Sequence, residues 1–126
     1  MKIGEVASAA EVSVDTVRFY ERRGVLPPAE RRPSGYREFP ASAAGRIRSA
    51  KALQDLGFTL DEVVDALRAH DTGDATCETE RWRLEAVVAR LDERIAQLQR
   101  LRRKAADSLD DCRSGCCRLV GDARLV

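Results

Sequence analysis

The segment from Cys77 to Arg113 constrains the fold most, because it contains neither glycine nor proline and its apolar residues recur in alternating steps of four and three. This heptad pattern predicts a long amphipathic helix, with the dimerisation helix over residues 80–111 and roughly 48 Å long. The rest of the chain offers too little apolar surface to cover the seam, so we expect two copies to pair along it. The apolar seam residues are Leu84, Val88, Leu91, Ile95, Leu98, Ala105 and Leu109. Arg102 occupies the one seam position that is not apolar.

The composition limits what else the chain can hold. Its 126 residues are 44% hydrophobic and 34% charged but only 5% aromatic, which favours exposed helices over a β-sandwich. A chain of this size has one modest core, and no group of histidines and carboxylates converges on a pocket, so we expect no enzyme. It also lacks the apolar run of about 18 to 20 residues that a membrane span needs. We expect a mainly α, cytoplasmic protein.

The N-terminal part predicts two short helices and a hairpin. Helices are expected over Ile3–Ala10 and Val14–Arg23, with Ser13 as the N-cap of the second and Gly24 closing it. Two short helices joined by a tight turn have the form of a helix-turn-helix. A turn over residues 33–35 and the alternating pattern of Tyr36–Phe39 then predict a small β-hairpin, or wing.

Two further helices are expected after the wing, over about residues 40–56 and 60–69, and both carry apolar stripes that would close a core. Residues 1–69 are therefore predicted to form one winged helix-turn-helix domain. Residues 70–79 are expected to be a linker, and residues 112–126 a C-terminal loop and tail.

Basic residues are concentrated in the predicted domain. Between Arg18 and Lys51 there are nine Lys or Arg and three Glu, a local charge of +6 in a chain whose net charge is only +1. Such a stretch either attracts a polyanion such as DNA or forms an ordinary solvated surface. Charge alone leaves both interpretations open.

Four stretches, taken in order, resemble the signature of the MerR family of transcription regulators. They are Ile3–Ala7, Thr16–Leu26, Arg32–Arg37 and Leu56–Val63. The resemblance implies a winged helix-turn-helix followed by a long helix that forms an antiparallel coiled coil in a homodimer. It also implies promoter DNA and RNA polymerase as partners, with regulation through bending and untwisting of the promoter.

The resemblance implies DNA contacts on the second helix and on the wing. Arg18 lies early in the second helix, where a guanidinium can form a bidentate pair with guanine or bind phosphate. Tyr20 and Tyr36 have an alternative role as core aromatic residues with exposed hydroxyls. The expected DNA-binding residues are Thr16, Arg18, Tyr20, Ser34, Tyr36 and Arg37.

Four cysteines lie near the two ends of the predicted long helix: Cys77 at its start, and Cys112, Cys116 and Cys117 at its end. In a reducing cytoplasm they are better interpreted as thiols or metal ligands than as disulfides. Roughly 50 Å of helix separates Cys77 from Cys112, so one chain cannot bring them together. In a head-to-tail dimer, Cys77 of one subunit would meet the C-terminal cysteines of the other.

These thiolates form a soft site, which suits mercury, cadmium, lead or zinc. Family members with a cysteine at the position of Cys77 respond to soft divalent metals, and Cys112 and Cys117 resemble the family's two loop cysteines. The loop is shorter than the family pattern and carries the additional Cys116, so either Cys116 or Cys117 is the third ligand. Mercury(II) is favoured narrowly. His70, the single histidine, is expected to cap a helix rather than to bind metal.

Other interpretations of the cysteines stay open at this stage. They could serve a redox-sensing regulator of the same fold, through thiol oxidation or an iron-sulfur cluster. They could also belong to a metal carrier that does not bind DNA, or be inert core thiols.

Overall fold

A computed structural model describes residues 1–115 of the chain. The described part is mainly helical with one two-stranded sheet, as predicted. None of its helices is both long enough and apolar enough to cross a membrane. The elements are α1 (Ile3–Ala10), α2 (Val14–Arg22), β1 (Glu30–Arg31), β2 (Arg37–Glu38), α3 (Ala43–Asp55), α4 (Leu60–Asp71) and α5 (Cys77–Arg113).

The helix-turn-helix forms where local chemistry predicts it. Between α1 and α2, Glu11 adopts a left-handed conformation with φ of 57°, which reverses the chain direction at the end of α1. The backbone N–H of Thr16 donates to Oγ of Ser13 at 3.1 Å, and this bond caps α2. Gly24 has a φ of 85°, a conformation that few other residues adopt, so the chain can turn away from α2 toward the wing.

The wing is a short antiparallel hairpin. Glu30 pairs with Glu38 and Arg31 pairs with Arg37. Its turn is closed by the backbone N–H of Gly35, which donates to the carbonyl of Arg32 at 2.8 Å. The predicted strand over residues 36–39 is therefore confirmed in position, but the regular pairing is limited to two residues.

One apolar core holds these elements together. Helix α1 packs on α2 and α3, and α3 packs on α4. Burial of each large side chain contributes about 1.5 to 3 kcal/mol. The large core side chains that are almost fully buried are Val6, Val17, Val25, Leu26, Phe39, Ile47 and Val63.

Helix α4 begins with a capping box. The backbone N–H of Glu62 donates to Oγ1 of Thr59 at 3.2 Å, and that of Thr59 donates to Oε1 of Glu62 at 2.8 Å. The helix ends at Asp71, two residues later than predicted. The connection to α5 is therefore residues 72–76, shorter than the linker expected over residues 70–79.

Helix α5 extends further than the predicted 80–111 at both ends. It begins at Cys77, because Oγ1 of Thr76 accepts from the backbone N–H of Thr79, and it ends at Arg113. Cys112 therefore lies on the helix, whereas it was expected at the start of a loop.

The chain divides into two compact units within α5: the first is Met1–Val87, and the second begins at Val88. Val87 is 2% exposed and belongs to the core.

Candidate DNA-binding surface and cysteine positions

The exposed face of α2 carries two of the predicted DNA-binding residues. The Thr16 hydroxyl lies 2.9 Å from the Ser13 hydroxyl, so its orientation is tied to the helix cap. Nη1 of Arg18 lies 3.4 Å from Oδ1 of Asp15, and both side chains are exposed. Because an exposed ion pair of this kind contributes little, the Arg18 guanidinium is free to exchange Asp15 for another anion.

Tyr20 is a core residue, contrary to its expected presentation to DNA. Its side chain is only 5% exposed, and its hydroxyl donates to Oε1 of Gln54 at 2.6 Å. Burial raises the pKa of the hydroxyl above its ordinary value, and the nearby Asp55 carboxylate raises it further. The alternative role of a buried aromatic ring therefore fits this position.

Replacing Tyr20 with Phe is expected to lower the free energy of unfolding by about 0.5 to 1.5 kcal/mol, the usual net contribution of one hydrogen bond. Affinity for DNA should change by less than about threefold, because the ring and its packing remain. Thermal unfolding and a DNA titration of the same preparation measure both quantities. Unchanged stability with a large loss of affinity would return Tyr20 to the DNA-binding surface.

The wing exposes the side chains of Ser34 and Tyr36. Tyr36 is 62% exposed, and Nζ of Lys2 lies 5.3 Å from the centre of its ring, a cation–π contact. The aromatic ring of Tyr36 is thus available on the surface and lies beside a positive charge.

Arg37 connects the wing to α2. Its Nη1 donates to Oε1 of Glu21 at 2.8 Å, and the second carboxylate oxygen of Glu21 accepts from the backbone N–H of Ala29 at 2.8 Å. The Glu21 side chain is 15% exposed, so this ion pair is less screened than a surface pair. One carboxylate of α2 therefore binds β2 and the residue before β1, and Arg37 has an intramolecular partner in addition to its predicted role.

A concave surface brings several of these residues together. A cleft of about 290 Å³ is lined by Lys2, Ile3, Arg18, Gly35, Tyr36 and Arg37. It contains three predicted DNA-binding residues from two separate elements, and its three basic side chains suit a phosphate. Lys2 is the member that sequence reasoning missed, since its only local signal was a single positive charge near the chain start.

A second network links the segment that follows α2 to the end of α4. Arg46 of α3 donates through Nε to the carbonyl of Val25, and through Nη1 and Nη2 to Asp71 at 2.7 and 2.8 Å. The hydrogen bonds from Arg46 lower the pKa of the Asp71 carboxyl below its ordinary value. Asp71 is the last residue of α4 and is followed by the connection to Cys77. Arg46 therefore joins the segment just after α2 to the end of α4, which precedes the first cysteine in the chain.

The two described cysteines lie at opposite ends of α5. Cys77 is its first residue and Cys112 its next to last, and both are exposed free thiols. Within residues 1–115, no three His, Cys, Asp or Glu side chains lie close enough together to hold a metal ion. Cys116 and Cys117, predicted as ligands, lie outside the described residues. Cysteine sulfurs suit a soft metal, but a site with three sulfur ligands needs residues beyond those that the described chain brings together.

A groove runs beside the first cysteine. A cavity of about 490 Å³ is lined by His70, Ala75, Thr76, Cys77, Glu80, Arg81 and Leu84. Its lining combines apolar and charged side chains. The carbonyl of His70 accepts from the backbone N–H of Gly73, which fits the expected place of His70 at a helix end.

The fold and the basic cleft define a winged helix-turn-helix DNA-binding protein. Residues 1–70 match the family described as MerR HTH family regulatory protein, and residues 45–106 match the family described as MerR, DNA binding. The chain belongs to the MerR family, whose members are DNA-binding transcription regulators and not enzymes. The resemblance inferred from the sequence motifs is thereby confirmed.

Relatives within the family include metal-responsive regulators. The chain is 32% identical to the mercuric resistance operon regulatory protein of Bacillus cereus, over 88% of this chain and 84% of that protein. It is 30% identical to the regulator ZntR of Escherichia coli, over 92% and 80%. It is also similar to PbrR691 of Ralstonia metallidurans, solved in complex with lead(II), with 26% identity, a TM-score of 0.80 and coverage of 96% and 91%.

Proposed function

We propose that this chain is a cytoplasmic, metal-responsive regulator that binds promoter DNA as a homodimer and activates metal-resistance genes. The observation that carries the proposal is the position of Cys77 and Cys112 at opposite ends of one helix, in a chain that also has a basic DNA-binding cleft. The named relatives include a mercuric resistance regulator and a lead(II) complex, which supports metal as the effector.

DNA is bound by α2 and the wing together. Arg18 contacts a base edge or a phosphate, while Lys2, Tyr36 and Arg37 of the same cleft position the phosphate backbone. Thr16 and Ser34, which do not line the cleft, add further phosphate contacts. Glu21 stabilises this surface, because its carboxylate accepts hydrogen bonds from Arg37 and from the backbone N–H of Ala29. The DNA-binding residues thus come from a helix and a hairpin that one partly buried ion pair, Arg37–Glu21, joins.

The metal site is shared between two chains. In an antiparallel pair of α5 helices, Cys77 of one subunit lies near the C-terminal cysteines of the other, so Cys77, Cys112 and either Cys116 or Cys117 are the ligands. A soft divalent ion suits these thiolates; we favour mercury(II), with cadmium, lead and zinc as alternatives. We expect the second chain to approach Cys77 along the groove that Cys77 lines.

Metal binding favours one of two protein conformations. That conformation bends and untwists the promoter, so that RNA polymerase can use it. Within one chain, Arg46 offers a link between the two sites, because it joins Asp71, six residues before Cys77, to Val25, which lies just after α2. Distortion of promoter DNA costs a few kcal/mol, which the protein contacts must offset.

A redox-sensing regulator of the same fold is the second candidate, and the exposure of both described thiols favours it. Competitive metal titration of the reduced protein distinguishes the two. We expect tight binding of a soft divalent metal and no visible absorption from an iron-sulfur cluster in anaerobically purified protein. A visible cluster spectrum, or no metal binding by the reduced dimer, would favour the redox sensor.

Replacing Arg18 with Ala is expected to weaken binding to the promoter fragment by about 1 to 3 kcal/mol, the range for a good bidentate base contact. A fluorescence anisotropy titration with labelled DNA measures the loss. The matched control is Arg22→Ala, since Arg22 is an exposed arginine of the same helix that does not line the cleft. Equal losses in both variants would indicate a general charge effect and remove Arg18 from a specific role.

A further inference from the structure

Helix α2 exposes an aromatic ring that the core does not bury. The chain has three phenylalanines, and two of them, Phe39 and Phe58, are core residues with 1% and 7% of their surface exposed. Phe19, in contrast, is 39% exposed. Val17 and Tyr20 are the buried residues of α2, and a residue two positions after Val17 lies about 200° around a helix from it. Phe19 therefore lies on the outer face of α2.

Two neighbouring side chains support this ring. Its centre lies 5.9 Å from the centre of the Tyr20 ring, which is fixed in the core. Cζ of Arg23 lies 5.8 Å from the centre of the Phe19 ring, a cation–π contact. Nη2 of Arg23 in turn lies 3.1 Å from Oδ1 of Asp61 in the first turn of α4. The exposed ring is thus held before any ligand arrives, so less side-chain freedom is lost when a ligand covers it.

Exposed basic side chains surround the ring. Arg18 precedes it, and Arg22 and Arg23 lie within one turn after it. The only carboxylate between Arg18 and Arg23 is that of Glu21, which is 15% exposed and bound to Arg37. A positively charged surface with an apolar centre suits a polyanion that also offers an apolar group.

DNA offers such a group in the major groove, where the second helix of a helix-turn-helix lies. Each base pair presents hydrogen-bond donors and acceptors there, but only thymine adds a methyl group at C5. A phenylalanine ring neither donates nor accepts a conventional hydrogen bond, so the methyl group is the part of a base edge that it matches. We propose that Phe19 is a specificity-determining residue that contacts the C5 methyl group of a thymine. This inference deepens the proposed function and rests on the binding of DNA by α2 and the wing.

The test uses a DNA duplex that the unsubstituted protein selects from a random-sequence pool. Each thymine of this duplex is replaced by uracil, one position at a time in both half-sites, which removes the methyl group and keeps the hydrogen-bonding groups. At one position, this replacement is expected to weaken binding about 15-fold, because each buried methyl group contributes about fourfold. Fluorescence anisotropy with labelled duplexes measures the change.

The variant Phe19→Ala assigns this methyl contact to the ring. It should bind the thymine duplex at least about 15-fold more weakly than the unsubstituted protein, and it should bind the thymine and uracil duplexes equally. Arg18→Ala is the control: it should bind both duplexes more weakly but keep the difference between them. Loss of the difference in both variants would mean that the placement of α2 decides it, and would overturn the proposal.

Other results would also overturn the role of Phe19. If Phe19→Ala weakens binding but keeps the difference between thymine and uracil, the ring contacts the sugar-phosphate backbone or only supports the helix. The proposal equally fails if no thymine of the selected duplex is sensitive, or if Phe19→Ala lowers the melting temperature without changing affinity. A protein that selects no duplex at all rejects the DNA-binding surface itself, so the two failures are distinguishable.

Discussion

Replacing Cys77 with Ser is expected to weaken binding of the soft divalent metal by at least about 100-fold. The reason is that a direct ligand is lost, and even the loss of a group that only supports a ligand costs about 10- to 100-fold. The Cys77 side chain is exposed at the first position of α5 and has no packing role to lose, so the fold and DNA affinity should be retained. Competition against a metal indicator, followed by a DNA titration, measures both.

The neighbouring variant Glu78→Gln is the control for this experiment. Glu78 is also exposed in the first turn of α5, but its carboxylate is a hard ligand that suits mercury or lead poorly. The Glu78→Gln variant should bind the metal with an affinity within about threefold of that of the unsubstituted protein. If Cys77→Ser binds metal as tightly as the unsubstituted protein, then Cys77 does not belong to the site.

Replacing Leu91 with Asp is expected to raise the dissociation constant of the homodimer by roughly 100- to 10,000-fold. Burial of a leucine contributes about 1.5 to 3 kcal/mol, and each substitution counts twice in a symmetric dimer. In the described chain Leu91 is 43% exposed, and Ile95 and Leu98 on the same seam are about half exposed. The described part of the chain therefore does not bury these seam residues. Sedimentation equilibrium over a range of protein concentrations measures the change.

The matched control for the seam is Arg100→Asp. Arg100 is exposed in the middle of α5 and lies on the side of the helix opposite the heptad seam, so a carboxylate is introduced without loss of apolar contact. Dimerisation should be unaffected by this change. A Leu91→Asp protein that remains dimeric at nanomolar concentration would contradict pairing along this seam.

Helix ends were predictable because they depend on local chemistry. Ser13 and Thr59 cap α2 and α4 as their sequence positions suggest, since a hydroxyl needs only a backbone N–H three residues away. The same applies to the bounds of α1, which match the prediction. The heptad pattern likewise identified α5, because its period is a property of the segment itself.

Features that depend on distant partners were not predictable in the same way. Tyr20 was expected on the DNA-binding face, but its ring packs in the core and its hydroxyl bonds to Gln54 of another helix. The position of Lys2 beside the wing depends on the pairing of Met1 with Phe39. The DNA-binding roles and the metal ligands stay predictions, including Cys116 and Cys117 beyond the described residues.

The shared metal site is tested most directly by a mixed dimer of one Cys77→Ser chain and one Cys112→Ser chain. If ligands come from both subunits, both substitutions fall in the same site, and the other site keeps all its cysteines. The mixed dimer should then bind one metal ion tightly, while either variant alone as a homodimer binds none tightly. A mixed dimer without tight binding, or tight binding by a homodimer of either variant, would contradict the account.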